Sequence, residues 1–501
     1  MCLGLLLMAS ACTDLLDQTD PNAVTLTDYF KTENDIQLAV NGIYQSLRSS
    51  DAVGENSGLY TDERSDDTGT NDNQSNSGEP FQFNNFALLA SNTWLKNHWV
   101  ALYQSITRCN VLLSNIDKVT FADESTKAKY IAEAKFVRAF IYFQLVRKWG
   151  DVPLVTRQLV SRQEITESTT RVKKELVYDQ IVLDLKDVVN SPLANQQTGA
   201  NAGKVSKAAG NALLGQVYLT MATTLDQASR AANLANAKTY LEASYGMKSF
   251  GSLKEIPYTD VFDVAKKSTC PELIFQIVNK QGDLNYASSI AANTQAKGET
   301  INSLKPSTGV GANVTHDLVF DYEAGDLRKD YSVKYANDAT VQDWFITKFR
   351  DASTTAGVNG YGGNDWILIR YADVILMLAE VNMYLGNDSA AIGYLDMVRE
   401  RAKMPAYSAS KTNADYASKY PTLKLAILHE RRVELAFEHH RWFDLLRAFT
   451  TDELVAYMKS KKQADFGTAQ LSNFTKKDRY YPIPFDENKL DPIKMYQNEG
   501  Y

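Results

Sequence analysis

Three groups of residues in this chain carry side chains whose type and spacing suggest chemistry. The first is Cys12, which stands directly behind Ala9-Ser10-Ala11 at the end of the apolar run Leu3-Gly4-Leu5-Leu6-Leu7-Met8. A signal peptidase that needs small side chains before the scissile bond would cut there, leaving Cys12 with a thiol to carry lipid and a new amino group to acylate. Residues 1–11 are therefore read as a lipoprotein signal peptide and Cys12 as the lipidation site, since two or three acyl chains hold a protein firmly where one would not. The second group is Glu430, Glu434 and Glu438, spaced i, i+4, i+8 on one face of an expected helix, with Arg431, Arg432 and Arg441 as expected partners. Set beside Phe437, Trp442 and Phe443, these charges read as ion pairs fixing a helix against its neighbours rather than as catalysts.

The third group is the stretch Asp62-Glu63-Arg64-Ser65-Asp66-Asp67-Thr68-Gly69-Thr70-Asn71-Asp72-Asn73 and the aromatics that follow it. Its oxygens could hold calcium, but no Glu stands at the twelfth position of an EF-hand, so a solvated loop is the favoured reading and calcium the less favoured one. A third reading has Asp67 and Asn71 bonding sugar hydroxyls. Sugar recognition asks for flat aromatic faces ringed by polar groups. Phe81 and Phe83 follow the acidic stretch, and Tyr286, Tyr322, Trp344 and Tyr361 lie in an irregular middle region; with Asp67 and Asn71 these are the nominated ligand-binding residues. Trp99 is assigned to the core, because it falls on the apolar stripe of a helix.

Other chemistry finds little material. Five histidines include no His-Glu-x-x-His, and the adjacent His439-His440 would point to different sides of a helix, which suits chelation poorly. No Gly-x-Ser-x-Gly elbow and no Walker loop occurs. No catalytic residue, cofactor or metal ligand is expected. A formal charge of −7 without a Lys/Arg-rich block argues against a nucleic-acid partner. No apolar stretch reaches the ~20 residues a membrane-spanning helix requires. Besides Cys2 and Cys12 there are only Cys109 and Cys270, read as buried thiols ahead of a disulfide bridge.

The elements that must position these groups are mainly helical. Tyr130, Ala134, Val137, Ile141 and Leu145 share one helix face, ended by Gly150 and Pro153. Leu213, Leu214, Val217, Tyr218 and Met221 share another, and Tyr371, Val374, Ile375, Leu378 and Ala379 a third, closed by Gly386-Asn387. Further helices are expected at about 35–48, 97–117, 171–189, 232–245, 389–402 and 422–448. Leu214-Gly215-x-x-Tyr218 with Ala237-x-x-x-Leu241, and Leu378-Ala379 with Ala391-x-x-x-Leu395, match the spacing of tetratricopeptide helix pairs; ordinary helix packing is the equal alternative. From about 250 to 365 the helical period fades into Gly, Asn, Asp, Thr and aromatics, and the proline-containing C-terminal segment from Tyr480 is expected to lie extended on the body.

Glu430-Arg431-Arg432-Val433-Glu434-Leu435-Ala436-Phe437-Glu438, continuing through Arg441-Trp442-Phe443-Asp444-Leu445-Leu446-Arg447, resembles the signature helix of the SusD/RagB outer-membrane lipoproteins. Ala132-Glu133-Ala134-Lys135-Phe136-Val137-Arg138-Ala139-Phe140, Gly150-Asp151-Val152-Pro153-Leu154, Arg370-Tyr371-Ala372-Asp373-Val374, Tyr481-Pro482-Ile483-Pro484 with Gln497-Asn498-x-Gly500-Tyr501, and Cys12-Thr13-Asp14-Leu15-Leu16-Asp17 resemble that family in its order. The resemblance implies an all-α dominated fold of tetratricopeptide-like hairpins with an irregular loop-rich insertion. Its parts are 12–250 as an N-terminal helical region, 251–365 as a ligand-facing insertion, and 366–501 as a C-terminal helical region with an extended tail. It also implies a non-enzymatic protein, lipid-anchored to the cell-surface face of the outer membrane. Such a protein binds a glycan and delivers it to a SusC-like TonB-dependent transporter. A RagB-like peptide receptor and a lipid-anchored tetratricopeptide scaffold are the alternatives, and a surface glycoside hydrolase would need two carboxylates about 5–10 Å apart.

Overall fold

A computed structural model describes residues 29–69, 75–283, 285–294, 313–337, 342–359, 361–467 and 469–501. The signal peptide, Cys12 and Asn71 lie outside the described residues.

The fold is dominated by helices that pack each on the next. They are α1 (Glu33–Leu47), α2 (Thr93–Asn115), α3 (Glu124–Trp149), α4 (Lys174–Val189), α5 (Lys207–Thr224), α6 (Arg230–Gly246), α7 (Tyr371–Tyr384), α8 (Asp388–Arg401), α9 (Leu423–Glu434), α10 (Arg441–Ala448) and α11 (Thr451–Ser460). Side-chain caps start several of them: Thr32 forms a capping box with Asp35 at α1, and Asn92, Asp123, Ser206 and Thr422 cap α2, α3, α5 and α9. From Phe136 to Trp149 helix α3 is buried all round, and α1, α2 and α4 pack beside it. Gly150 then ends it at φ +73°, a backbone region that favours glycine. Trp99 is buried in this core, as are Cys109 and Cys270, both free thiols pushed up to about 12 and about 11 by burial. No described helix is long and apolar enough to cross a membrane.

The paired-helix spacing read from the sequence has a physical counterpart. Helices α5 and α6 pack antiparallel so closely that a Cβ on Gly215 would lie 2.5 Å from Leu241 Cγ and 3.1 Å from the Leu241 backbone nitrogen. Helices α7 and α8 form the second such hairpin, packed on α6 and α9.

The chain also forms short strands, most of them between α6 and α7. In chain order the strands are β1 (Thr68–Gly69), β2 (Val152–Pro153), β3 (Arg171–Val172), β4 (Leu273–Ile277), β5 (Asn313–Val314), β6 (Val333–Asn337), β7 (Gln342–Ile346) and β8 (Trp366–Arg370). One antiparallel sheet has the order β1-β5-β7-β6, with Tyr335 opposite Trp344 in the β6–β7 hairpin. A second pairs β4 with β8, Ile277 opposite Trp366 and Leu273 opposite Arg370. The Gly-rich stretch pairs Gly362 with Ser288 in an isolated bridge; a Cβ on Gly362 would come within 2.8 Å of Asp351 Cβ.

The signature segment is not one helix. Residues 435–440 form a turn between α9 and α10, with Phe437 and His439 at φ +64° and +63°. Such conformations cost about 1–3 kcal/mol each and persist only when the surroundings impose them. Here Lys348 Nζ donates to the carbonyls of Glu434 (3.1 Å) and Ala436 (2.8 Å) and to Glu438 Oε1 (2.6 Å), while Arg370 Nη2 donates to the Glu434 carbonyl (2.9 Å). His439 and His440 therefore sit in a turn and at a helix start, not on one helix.

The ion pairs expected of this segment exist, but with other partners. Consecutive positions on a helix face different ways, so the carboxylates and arginines of α9 reach separate neighbours. Glu430 is held by Arg328 (2.7 Å) and Arg399 (2.9 Å), Glu434 by Arg328 (2.9 Å), Arg370 (2.7 Å) and Arg401, and Glu438 by Arg370 and Lys348. Arg431 pairs with Asp373 and Asp444, and Arg432 with Asp67, Asp317 and Asp321. Arg441 pairs with Asp66. Burial alone would raise these carboxyls, yet Arg370 and Lys348 hold Glu438 at about 2 and the arginines around Glu434 hold it lower still.

The C-terminal segment is pinned to the Gly150 turn. Trp149 Nε1 donates to the Pro482 carbonyl (2.9 Å), Gln497 brackets both backbone groups of Ile483, and Asn498 Nδ2 donates to Trp149 and Tyr481 carbonyls. It is not extended throughout: Pro484 caps a short helix, Phe485–Leu490, because a proline is tolerated at a helix start.

Arg370→Met leaves three buried carboxylates, Glu272, Glu434 and Glu438, short of a partner, and is expected to destabilise the fold by about 3–5 kcal/mol in chemical denaturation. Gly215→Val is expected to cost about 1–3 kcal/mol by forcing α5 from α6. Gly393→Ala, on α8 where a Cβ meets nothing within 4 Å, should instead stabilise by up to ~1 kcal/mol.

Candidate functional site

A cleft of about 510 Å³ opens between the C-terminal turn of α1, the middle of α2 and a wall formed by Ile277, Asn279, Asn285, Ala287 and Ser289. Helix α1 contributes Gln45 and its cap residue Arg48, α2 contributes Gln104 and Arg108, and the loop after α1 contributes Ser49, Glu55 and Asn56. Asn279, Asn285 and Ser289 form the facing wall, and Trp366 closes the floor. The cleft runs on past Glu55, Asn56 and Trp366 into a recess of about 160 Å³ lined by Asp62, Glu63, Asn293, Phe349 and His439. Past Arg48 and Gln45 it continues into a side pocket of about 230 Å³ that contains Tyr286, Tyr44 and Lys204.

The walls are cross-tied. Glu55 accepts from Ser288 Oγ (2.6 Å), Ser289 N (2.6 Å) and Ser289 Oγ (3.1 Å), and from Asn279 Nδ2 (3.1 Å). Asn56 bridges Ser289 and Asn293, each at 2.9 Å. Arg48 donates to the Val278 carbonyl (2.7 Å), and its guanidinium carbon lies 5.5 Å from the centre of the Tyr286 ring. The ring itself is 46% exposed, a flat face at the edge of the cleft.

In the recess, His439 packs against Trp366 with ring centres 4.4 Å apart, and its Nδ1 meets Ser57 Oγ at 3.2 Å. Burial and the nearby Lys148 push this imidazole down to about 3, so it is neutral at physiological pH. Burial drives Asp62 well above the carboxylate range, helped by Asp67, and drives Glu63 up to about 7. Asp62 Oδ1, Glu63 Oε2 and Trp366 Nε1 have no hydrogen-bond partner among the described residues. Buried polar atoms rarely stay unpaired, so the recess holds unused donors and acceptors. Among the described residues no three His, Cys, Asp or Glu side chains gather as a metal site would require.

Of the nominated residues that are described, Tyr286 alone lines this cleft. Asp67 is not a loop residue open to sugar. It is buried against Arg432, and Arg64 and Asp66 beside it are buried too, so the described part of that stretch is core rather than solvated loop. Phe83 is fully buried, edge-on to Tyr60 and Tyr481, and Tyr322 is buried in the same core, so neither offers a face to a ligand. Phe81 is half-buried at the start of the short helix Phe81–Asn84. Trp344 is half-buried on β7, edge-on to Tyr335 at 5.5 Å, and Tyr361 is half-buried beside the Gly362 bridge. The sequence reading missed Arg48, Glu55, Asn56, Arg108 and Asn279. Their only signal is that Gln104 and Arg108 lie off the apolar stripe of α2 that Trp99 and Ile106 define.

A family model described as "SusD family" matches residues 281–501, and one described as "Starch-binding associating with outer membrane" matches residues 14–219. The chain is similar to "SusD-like protein P2" of Formosa agariphila, 27% identical over 518 aligned residues that cover 99% of this chain and 98% of that protein. A "SusD-like protein" of Bacteroides ovatus is 24% identical over 76% of this chain and 70% of its own length. Among solved structures, a "Laminarin binding SusD-like protein" superposes with a TM-score of 0.74 at 25% identity, covering 94% of this chain and all of that one. Surface glycan-binding protein A from Bacteroides thetaiotaomicron, in complex with laminarihexaose, superposes with a TM-score of 0.74 at 20% identity over 93% and 100%. With matches to the family over both halves of the chain, the helix order and the signature segment in place, the chain belongs to the SusD/RagB family.

Proposed function

We propose that the cleft binds glycans, and that the chain, anchored through Cys12 at the surface of the outer membrane, delivers them to a SusC-like TonB-dependent transporter without cleaving them. The observation that carries this reading is the cleft's make-up: an open groove walled by amides, hydroxyls and guanidinium groups, with the exposed ring of Tyr286 at its edge. Polar groups with bidentate reach around one flat apolar face are what a pyranose requires. The similarity in fold to a laminarin-binding relative supports it.

Binding rather than hydrolysis fits the carboxylates. Both oxygens of Glu55 are occupied in holding Asn279, Ser288 and Ser289, so this group is a tie between the walls. Glu63, with its value near 7, is a protonated acid below that pH and can donate a hydrogen bond to a sugar oxygen.

Calorimetric titration against a panel of polysaccharides and their oligosaccharides tests the reading. Saturable binding of one glycan class with no new reducing ends is expected; binding of peptides alone would replace it with the peptide-receptor reading. Tyr286→Ala should weaken that binding about five- to tenfold with the melting temperature unchanged, whereas Trp344→Ala, outside the cleft lining, should leave it intact. Glu63 also predicts a pH effect on stability. Its folded-state value stands above the ordinary 4.5, so the stabilisation from its bound proton is full below about pH 4.5 and is lost as pH rises through about 7. Glu63→Gln should therefore match the parent at pH 4.5 and exceed it by ~3 kcal/mol at pH 8, a difference that melting curves across this range will show.

A further inference from the structure

The main groove of the cleft and its side pocket carry a charge opposite to that of the chain. The whole sequence has a formal charge of −7, yet the main groove and its side pocket expose Arg48, Arg108 and Lys204 against a single carboxylate, Glu55. None of the three cations forms an ion pair within 4 Å among the described residues. Glu55 does not neutralise them by contact, since both its oxygens are spent on Asn279, Ser288 and Ser289. Elsewhere the fold uses arginine differently: Arg328, Arg370, Arg399 and Arg432 each meet two or more carboxylates and are buried.

Arg48 is also held in place, and Arg108 lies close to α1. Arg48 is fixed by its bond to the Val278 carbonyl and lies over the Tyr286 ring, which leaves the rest of its guanidinium fork toward the groove. Arg108 rests against α1 where Gly42 has no side chain, its Nη1 3.6 Å from the site a Cβ would take. A guanidinium with free N–H groups in a groove is a ready partner for a planar carboxylate or a sulfate oxygen pair, which it binds bidentately. An aromatic face beside such a fork completes a site for a sugar ring that bears an anion.

We propose that the ligand of this cleft is an acidic glycan, an oligosaccharide bearing carboxylate or sulfate groups. One anionic group sits at Arg48 and Arg108, its ring packs on Tyr286, and a further charge along the chain meets Lys204. This rests on the reading of the cleft as a glycan site and specifies the class of glycan.

The test is calorimetric titration of the protein with hexuronate oligosaccharides, with sulfated oligosaccharides, and with the carboxyl-reduced or desulfated counterpart of each, at low and high sodium chloride. One acidic class should bind, and which one separates carboxylate from sulfate recognition. Its neutral counterpart should bind about 10- to 100-fold more weakly, and added salt should weaken the acidic ligand but not the neutral one. Arg108→Gln should cost about tenfold for the acidic ligand, while Arg157→Gln, an equal charge change at an exposed residue paired with Glu164 outside the cleft lining, should cost nothing. A neutral counterpart that binds as tightly as the acidic form, or an Arg108→Gln variant with unchanged affinity, overturns the inference and leaves the glycan reading standing. Absence of binding by every saccharide, charged and neutral, overturns both.

Discussion

The structure depends on a lattice of buried ion pairs centred on Glu434 and Arg370. A carboxylate taken out of water is stable only when cations and hydrogen bonds replace the lost hydration, and Glu434 has three arginines, from 328, 370 and 401, to do so. Those arginines come from the inter-hairpin region, from β8 and from α8. Satisfying one glutamate on α9 therefore fixes three elements far apart in sequence at one point. Apolar packing could bury the same volume, but it would not dictate which elements meet, because hydrophobic contact has no direction. The charge lattice, whose ion pairs have defined partners, specifies which elements meet.

The lattice reaches the cleft through β4 and β8. Arg370, at one end of β8, pairs in register with Leu273 and forms an ion pair with Glu272; Trp366, at the other end, pairs with Ile277 and forms the cleft floor. Side chains alternate along a strand, so Trp366, Leu368 and Arg370 share one side. The same lattice imposes the turn at 435–440, where Lys348 and Arg370 hold backbone carbonyls and two non-glycine residues adopt positive φ. That turn brings His439 against Trp366. Floor and recess wall are thus both set by charges that do not line the cleft.

Much of this architecture is legible in the sequence, for a definite reason. Helix positions follow from the 3.6-residue repeat of apolar side chains, and the Gly215–Leu241 contact follows from a small residue spaced to face a large one across a hairpin. The break at 435–440 is not legible, because Leu435 to His440 contains no glycine or proline and its cause, Lys348 and Arg370, lies 64 or more residues away. The acidic stretch after Tyr60 misleads for the same reason: Asp66 and Asp67 look solvated until Arg432 and Arg441 are brought to them. The aromatics are ambiguous in principle, since only packing decides that, of Phe83, Tyr322 and Tyr286, it is Tyr286 that borders the cleft. The residues that form its polar walls, such as Asn56 and Asn279, have no periodicity at all.

The two kinds of charge in this protein serve opposite ends. Buried pairs such as Arg328–Glu430 are locked, because removing either partner strands the other in a dry interior. Groove cations such as Arg108 are exposed and form no ion pair among the described residues, so their attraction for a ligand anion is screened by salt. That makes the attraction long enough in range to gather charged ligands and weak enough per contact to let them go. A receptor that must pass its cargo to a transporter, the role proposed here, needs this balance. Deep desolvation of the ligand would make release slow, whereas an open groove with a fixed aromatic edge and polar walls binds through many small terms. The rigid lattice beneath supplies the preorganisation that keeps those small terms from being spent on ordering the protein.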